Sequence, residues 1–110
     1  MEFKDLITHQ FNQIIINEYT PGQGIGPHID NQKAFGRTVA TLSLLSDIQM
    51  DFKYRSDAFH IYLKRRSLTI LEDDARYICT HGIVPRKSDC INGVRLSRGT
   101  RISITFREVI

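Results

Sequence analysis

From Arg101 to Val109 the chain reads RISITFREV, and polar and apolar residues alternate along nearly its whole length. A period of two belongs to an extended strand, whose successive side chains point to opposite faces. Arg101, Ser103, Thr105 and Arg107 then share one face, and Ile102, Ile104 and Phe106 share the other. The isoleucine face is expected to be apolar core. The polar face has two readings. It is an edge strand with ordinary surface charges, or it lines a pocket for an anion. Guanidinium suits the second role, because it grips a carboxylate bidentately and is less costly to desolvate than ammonium.

The rest of the chain repeats the extended theme. Gln13 to Tyr19, Thr38 to Leu45, Gln49 to Tyr54, His60 to Leu63 and Ser67 to Leu71 read as strands rich in β-branched residues. Tyr77 to Val84 reads as extended and broken by Gly82. Thr20 to Pro27 holds three glycines and two prolines and reads as a loop, after which His28 opens the next extended piece. Arg55 to Asp57 is a turn, Glu72 to Asp74 a turn or short helical start, and Ser88 to Leu96 a variable loop. Seven or eight short strands with turns between them predict a mainly β sandwich or barrel with little helix. No long 3.6-residue period competes with this reading.

At 110 residues the chain is one domain. Residues 1–12 are expected to form an arm or short helix, and residues 13–110 the functional core. No apolar run approaches the roughly 18 residues of a membrane span. Cys79 and Cys90 do not make a disulfide framework, which points to a reducing, cytoplasmic setting, with the nucleus as the alternative. A net charge of +3 is compatible with a nucleic-acid partner without requiring one. The sequence leaves the oligomeric state open.

Chemistry concentrates first at His28-Ile29-Asp30. On an extended strand, residues i and i+2 face the same way, so an imidazole and a carboxylate would converge as ligands of a divalent metal. With four histidines in the chain, chance supplies such spacings too readily for this pair to stand alone. His81, on a later strand, completes a two-histidine, one-carboxylate set. Three ligands on one face leave coordination positions open, as in non-haem Fe(II) oxygenases. Structural zinc is not favoured, since no Cys-x-x-Cys pair accompanies Cys79 and His81.

Taken together, Asn17-x-Tyr19, His28-x-Asp30, His81 and the Arg101/Arg107 pair resemble the AlkB family of Fe(II)/2-oxoglutarate dioxygenases. The resemblance covers residues 13–109. The stretches SLLSDIQMDFK, LKRRSLTIL and ARYICTHGI are most similar to the branch that acts on the wobble uridine of tRNA. The resemblance implies a double-stranded β-helix, a jelly roll of the cupin kind. It implies that His28, Asp30 and His81 hold Fe(II), and that Arg101 pairs with the far carboxylate of 2-oxoglutarate. Asn17 and Tyr19 would hydrogen-bond this cosubstrate, and Arg107 would steady Asp30 and the keto-acid end. Ser103 stands where family members often carry asparagine, and a serine offers fewer hydrogen bonds. Asn31 and Gln32, just past the first motif, are candidate substrate contacts.

The implied activity consumes O2 and 2-oxoglutarate, releases succinate and CO2, and demethylates or hydroxylates modified nucleic acid, with RNA (tRNA above all) favoured over DNA. The same chemistry on a protein or small molecule, and a non-catalytic RNA- or metal-binding jelly roll, are the alternatives. A flipped base needs stacking surfaces, and Phe35, Phe52, Tyr54, Phe59 and Tyr62 are available. The family's recognition lid usually precedes the core, yet only about a dozen residues precede the first strand here. The chain is then a minimal core, a fragment, or one whose lid is supplied elsewhere.

Overall fold

A computed structural model describes residues 11–110. The expected arm at residues 1–12 lies largely outside the described residues. Two four-stranded antiparallel sheets carry the fold. The first has the order β1 (Gln13–Tyr19), β10 (Arg101–Arg107), β3 (Val39–Leu44), β6 (Ser67–Leu71). The second has the order β2 (Ile25–His28), β7 (Thr80–Ile83), β4 (Ile48–Tyr54), β5 (Asp57–Leu63). Both orders place strands distant in sequence side by side, as a jelly roll requires. A separate hairpin, β8 (Ser88–Ile91) with β9 (Val94–Ser97), sits between β7 and β10 in the chain. A short helix, α1 (Asp73–Tyr77), joins β6 to β7. Among the described residues no helix is long and apolar enough to cross a membrane.

The apolar core lies between the sheets and is built from both. Val39 and Leu71 come from the first sheet, and Ile48, Met50, Phe52, Leu63 and Ile83 from the second. The face of β10 that joins this interior is the polar one. Arg101, Ser103 and Thr105 are buried and line the central cavity with Arg107, while Ile102 and Ile104 are only half-buried on the outer side. The expectation that the isoleucine face is the core is therefore corrected at Ile102 and Ile104, while Phe106 on the same face is buried. The outer face is apolar as well: Ile104 pairs with Ile16 on one side and Leu42 on the other, and Ile16 is 65% exposed. Strict alternation cannot say which face is inside when the inner face must be polar to hold a ligand.

Other boundaries differ from expectation too: β5 starts at Asp57, inside the expected turn, and Tyr77 ends the helix and does not open a strand. Gly82 does not break β7; it pairs with Asp51 inside the strand. A Cβ at Gly82 would lie 2.9 Å from the Ile25 carbonyl oxygen, so the missing side chain lets β2 close onto β7. The strand β2 begins within the stretch expected to be a loop. The variable loop at Ser88 to Leu96 is instead the β8–β9 hairpin. It turns on Asn92 (φ 51°) and Gly93 (φ 80°), the left-handed pair that a two-residue hairpin turn requires.

Candidate metal and cosubstrate site

Close pairing of β2 with β7 brings His28 opposite His81 in register, with ring centroids 4.5 Å apart. Asp30 does not extend that strand, as the i/i+2 argument expected. β2 ends at His28, and Asp30 lies in the loop beyond it. The carboxylate nonetheless turns back into the pair: its Oδ1 is 3.5 Å from Nε2 of His28 and 3.5 Å from Nε2 of His81. Ligand atoms of all three residues lie within 4.8 Å of one another. His28 Nδ1 is 2.8 Å from the Gly26 carbonyl oxygen. That contact makes Nδ1–H the donor and leaves the Nε2 lone pair facing the cluster, the usual way a metal-ligating imidazole is oriented.

Burial, then the nearby His28, pushes the His81 pKa below its ordinary 6.5, against the opposing pull of Asp30. Neutral imidazole is the form a metal needs. The depressed value also sets a pH dependence for the metal-free protein. As pH falls, the unfolded chain takes up the proton first, so the stability held above about pH 6.5 is lost as pH passes down through the folded value. A melting series from pH 7.5 to 5.5 is expected to show a falling Tm, with a weaker slope in His81→Asn. Parallel slopes would remove His81 as the cause.

The second oxygen of Asp30 faces Arg107, whose Nε lies 3.3 Å from Oδ2. The Arg107 guanidinium in turn sits over the Phe35 ring, 4.4 Å from its centroid. Arg101 is 2% exposed. Its Nε donates to Ser43 Oγ at 2.9 Å, and its guanidinium lies 5.5 Å from the centre of the Tyr19 ring. Its Nη2 is buried with no hydrogen-bond partner, and among the described residues no carboxylate pairs with it. Burial pushes its pKa down, but arginine starts high enough to stay charged. A buried, uncompensated cation is costly. This one is aimed into a cavity also lined by Asn17, Tyr19, Thr41, Thr69, Ser103 and Thr105. A dicarboxylate that reaches from this pole to the His–Asp–His cluster fits that donor set.

Asn31 and Gln32 sit elsewhere. Both are exposed, and neither lines the cavity. Asn31 Oδ1 accepts from the backbone N–H of Lys33 and Ala34, and the Gln32 amide donates to the Tyr77 carbonyl. Their side chains brace the loop after Asp30. Sequence reading missed Thr41, Thr69 and Arg76. The threonines sit at strand positions where a hydroxyl carries no signal. Arg76 bonds only to backbone carbonyls, which no side-chain pattern records.

Residues 3–107 match the family model described as the 2OG-Fe(II) oxygenase superfamily. An uncharacterized protein, L905, of Acanthamoeba polyphaga mimivirus is 49% identical over 108 residues, covering 96% of this chain and 51% of its own length. The tRNA (carboxymethyluridine(34)-5-O)-methyltransferase alkbh8 of Xenopus tropicalis is 42% identical over 123 residues, covering 96% of this chain and 20% of its own length. The chain thus spans about half of one relative and a fifth of the other. A solved structure of OsALKBH1 superimposes with a TM-score of 0.64 at 21% identity, over 86% of this chain and 47% of that one, which supports the fold. The jelly-roll order, the His–Asp–His cluster and the near-complete match of the family model together establish that this chain is an AlkB-like member of the 2OG-Fe(II) oxygenase superfamily.

Proposed function

We propose that the chain is the catalytic core of an Fe(II)- and 2-oxoglutarate-dependent dioxygenase that oxidises modified nucleic acid, with RNA as the substrate class. The observation that carries the chemistry is the His28–Asp30–His81 cluster sharing one cavity with the unpaired guanidinium of Arg101. With Fe(II) bound, such a centre supplies O2-dependent oxidation of a C–H bond, coupled to decarboxylation of 2-oxoglutarate to succinate. The protein's own part is placement. Arg101 holds the far carboxylate, and the hydroxyls of Tyr19, Thr41, Thr69, Ser103 and Thr105 orient the chain of the cosubstrate. Arg107 balances the charge of Asp30, and Met50, Leu63 and Leu71 keep water from the cavity. The test is succinate formation from 2-oxoglutarate with added Fe(II). Turnover is expected in the wild type and absent in His28→Ala; equal turnover in both would remove the metal assignment.

The substrate class rests on two supports. One is the Xenopus relative, which is named for an activity at uridine 34 of tRNA. The other is an aromatic row across the second sheet. His28, His81, Phe52 and Phe59 are neighbours in register, and the Phe52 and Phe59 rings are stacked at 5.3 Å with planes 8° apart. Phe59 is 47% exposed, so it offers a flat apolar face two strands from His81, with Phe52 between them. Base–aromatic stacking contributes about 1–3 kcal/mol per base. Phe59→Ala is expected to weaken binding of a single-stranded tRNA-anticodon oligonucleotide by about that amount, while succinate formation without oligonucleotide stays at the wild-type rate. Unchanged oligonucleotide affinity would favour a protein or small-molecule substrate for the same centre.

A further inference from the structure

Arg76 lies on α1, outside the cluster, yet it is as fully enclosed as Arg101. It is 2% exposed, and its guanidinium spends its donors on backbone carbonyls alone. Nε donates to Gly36 O at 2.8 Å, Nη1 to Asp30 O at 2.9 Å, and Nη2 to Asn31 O at 3.2 Å and Phe35 O at 3.1 Å. Its charge rests on these carbonyl dipoles and on the Tyr77 ring, 4.9 Å away. All four acceptors belong to one short segment, the loop that begins at Asp30.

That segment ends in the ring beneath Arg107. Phe35 N donates to Asn31 O at 3.1 Å, closing the loop on itself, and Gly36 N donates to Glu108 O at 2.8 Å, tying it to the end of β10. Phe35 is also bridged to Val109. The Phe35 ring supports Arg107, and Arg107 holds the outer oxygen of Asp30. Arg76 therefore reaches Asp30 by two routes. It fixes the backbone carbonyl directly, and it shapes the loop that seats the Phe35–Arg107 pair on the carboxylate. Because Asp30 is off the end of β2, no strand pairing holds it in place.

We infer that Arg76 is the positioning residue that holds the Asp30 carboxylate in its ligating orientation, by clamping residues 30–36 and the Phe35–Arg107 support. This rests on the reading that His28, Asp30 and His81 bind a divalent metal. A guanidinium can span four carbonyls in fixed directions; an ammonium, with three donors at one point, cannot. Arg76→Lys keeps the charge and breaks the span. Outer partners of metal ligands typically change affinity by roughly 10–100-fold when altered.

Co(II) titration, read by its visible absorption bands, measures this without turnover. Wild type is expected to bind, and Arg76→Lys to bind roughly 10–100-fold more weakly. Arg98→Lys serves as the control for general destabilisation: Arg98 is also buried, but its partners are Asp89 and the Val84 carbonyl, none of them near Asp30 in the bond network. It is expected to lower Tm and keep wild-type Co(II) affinity. A second variant, Phe35→Ala, leaves Arg76 in place and removes the ring under Arg107; it is expected to weaken Co(II) in the same direction, and it decides the matter if Arg76→Lys does not fold. Wild-type affinity in Arg76→Lys, equal losses in Arg76→Lys and Arg98→Lys, or wild-type affinity in Phe35→Ala would overturn the inference alone. Failure of the wild type to bind Co(II) would overturn the metal reading and this inference with it.

Discussion

Arg101→Glu is expected to raise the apparent KM for 2-oxoglutarate by roughly a hundredfold or more, since removing one partner of a buried charge pair costs about 3–5 kcal/mol. The reversal puts a carboxylate where the cosubstrate's own carboxylate should rest, in a cavity whose other guanidinium, Arg107, is already engaged by Asp30. A second consequence separates binding from folding. Without ligand, Arg101 is a buried cation whose Nη2 has no partner. Arg101→Met removes that uncompensated charge and retains an unbranched apolar stem. Its ligand-free Tm is expected to equal or exceed that of the wild type, while 2-oxoglutarate turnover at ordinary concentrations disappears. Adding 2-oxoglutarate should raise the Tm of the wild type and not that of Arg101→Met, as linkage requires of a ligand that binds only the native state. An unchanged KM in Arg101→Glu would make Arg101 a structural residue and leave the cavity without an anion site.

The largest loss of metal affinity is expected from Asp30→Ala. Asp30 is the single contact between the two imidazoles and the cation of Arg107, with one oxygen toward each side. Its removal takes away the only carboxylate of the cluster and leaves Arg107 without its anion. Co(II) or Fe(II) affinity should fall by more than the roughly hundredfold that an outer-partner change produces, and succinate formation should fall to background. The fold should persist, because the apolar core between the sheets is built from other residues. Wild-type metal affinity in Asp30→Ala, measured with an intact far-ultraviolet spectrum, would dissolve the proposed centre.

Much of the strand framework was legible in the chain. β1 and β6 have the bounds expected from their β-branched runs, Gln13–Tyr19 and Ser67–Leu71. The hairpin at Ser88–Ser97 carries its turn signal in Asn92-Gly93, but strands of four residues each are too short to show a clear alternation. Gly82 misled for a definable reason. A glycine inside a strand pattern signals either a break or a close backbone approach, and only the approach of Ile25 and Pro27 decides between them.

The chemistry divides along the same line. Residue types and their spacing named His28, Asp30, His81, Arg101 and Arg107, because metal ligation and carboxylate binding demand particular functional groups, and those groups are written in the sequence. Alternation in β10 likewise determined which residues share a face. Which of the two faces is interior was decided only by the packing of the first sheet against the second, since a period of two is the same read from either side. The seat of Asp30 was decided there too. It lies past the end of its strand, held by a guanidinium 46 residues away that binds carbonyl oxygens every residue possesses. Backbone acceptors leave no trace in composition or motif, so that clamp exists only in three dimensions.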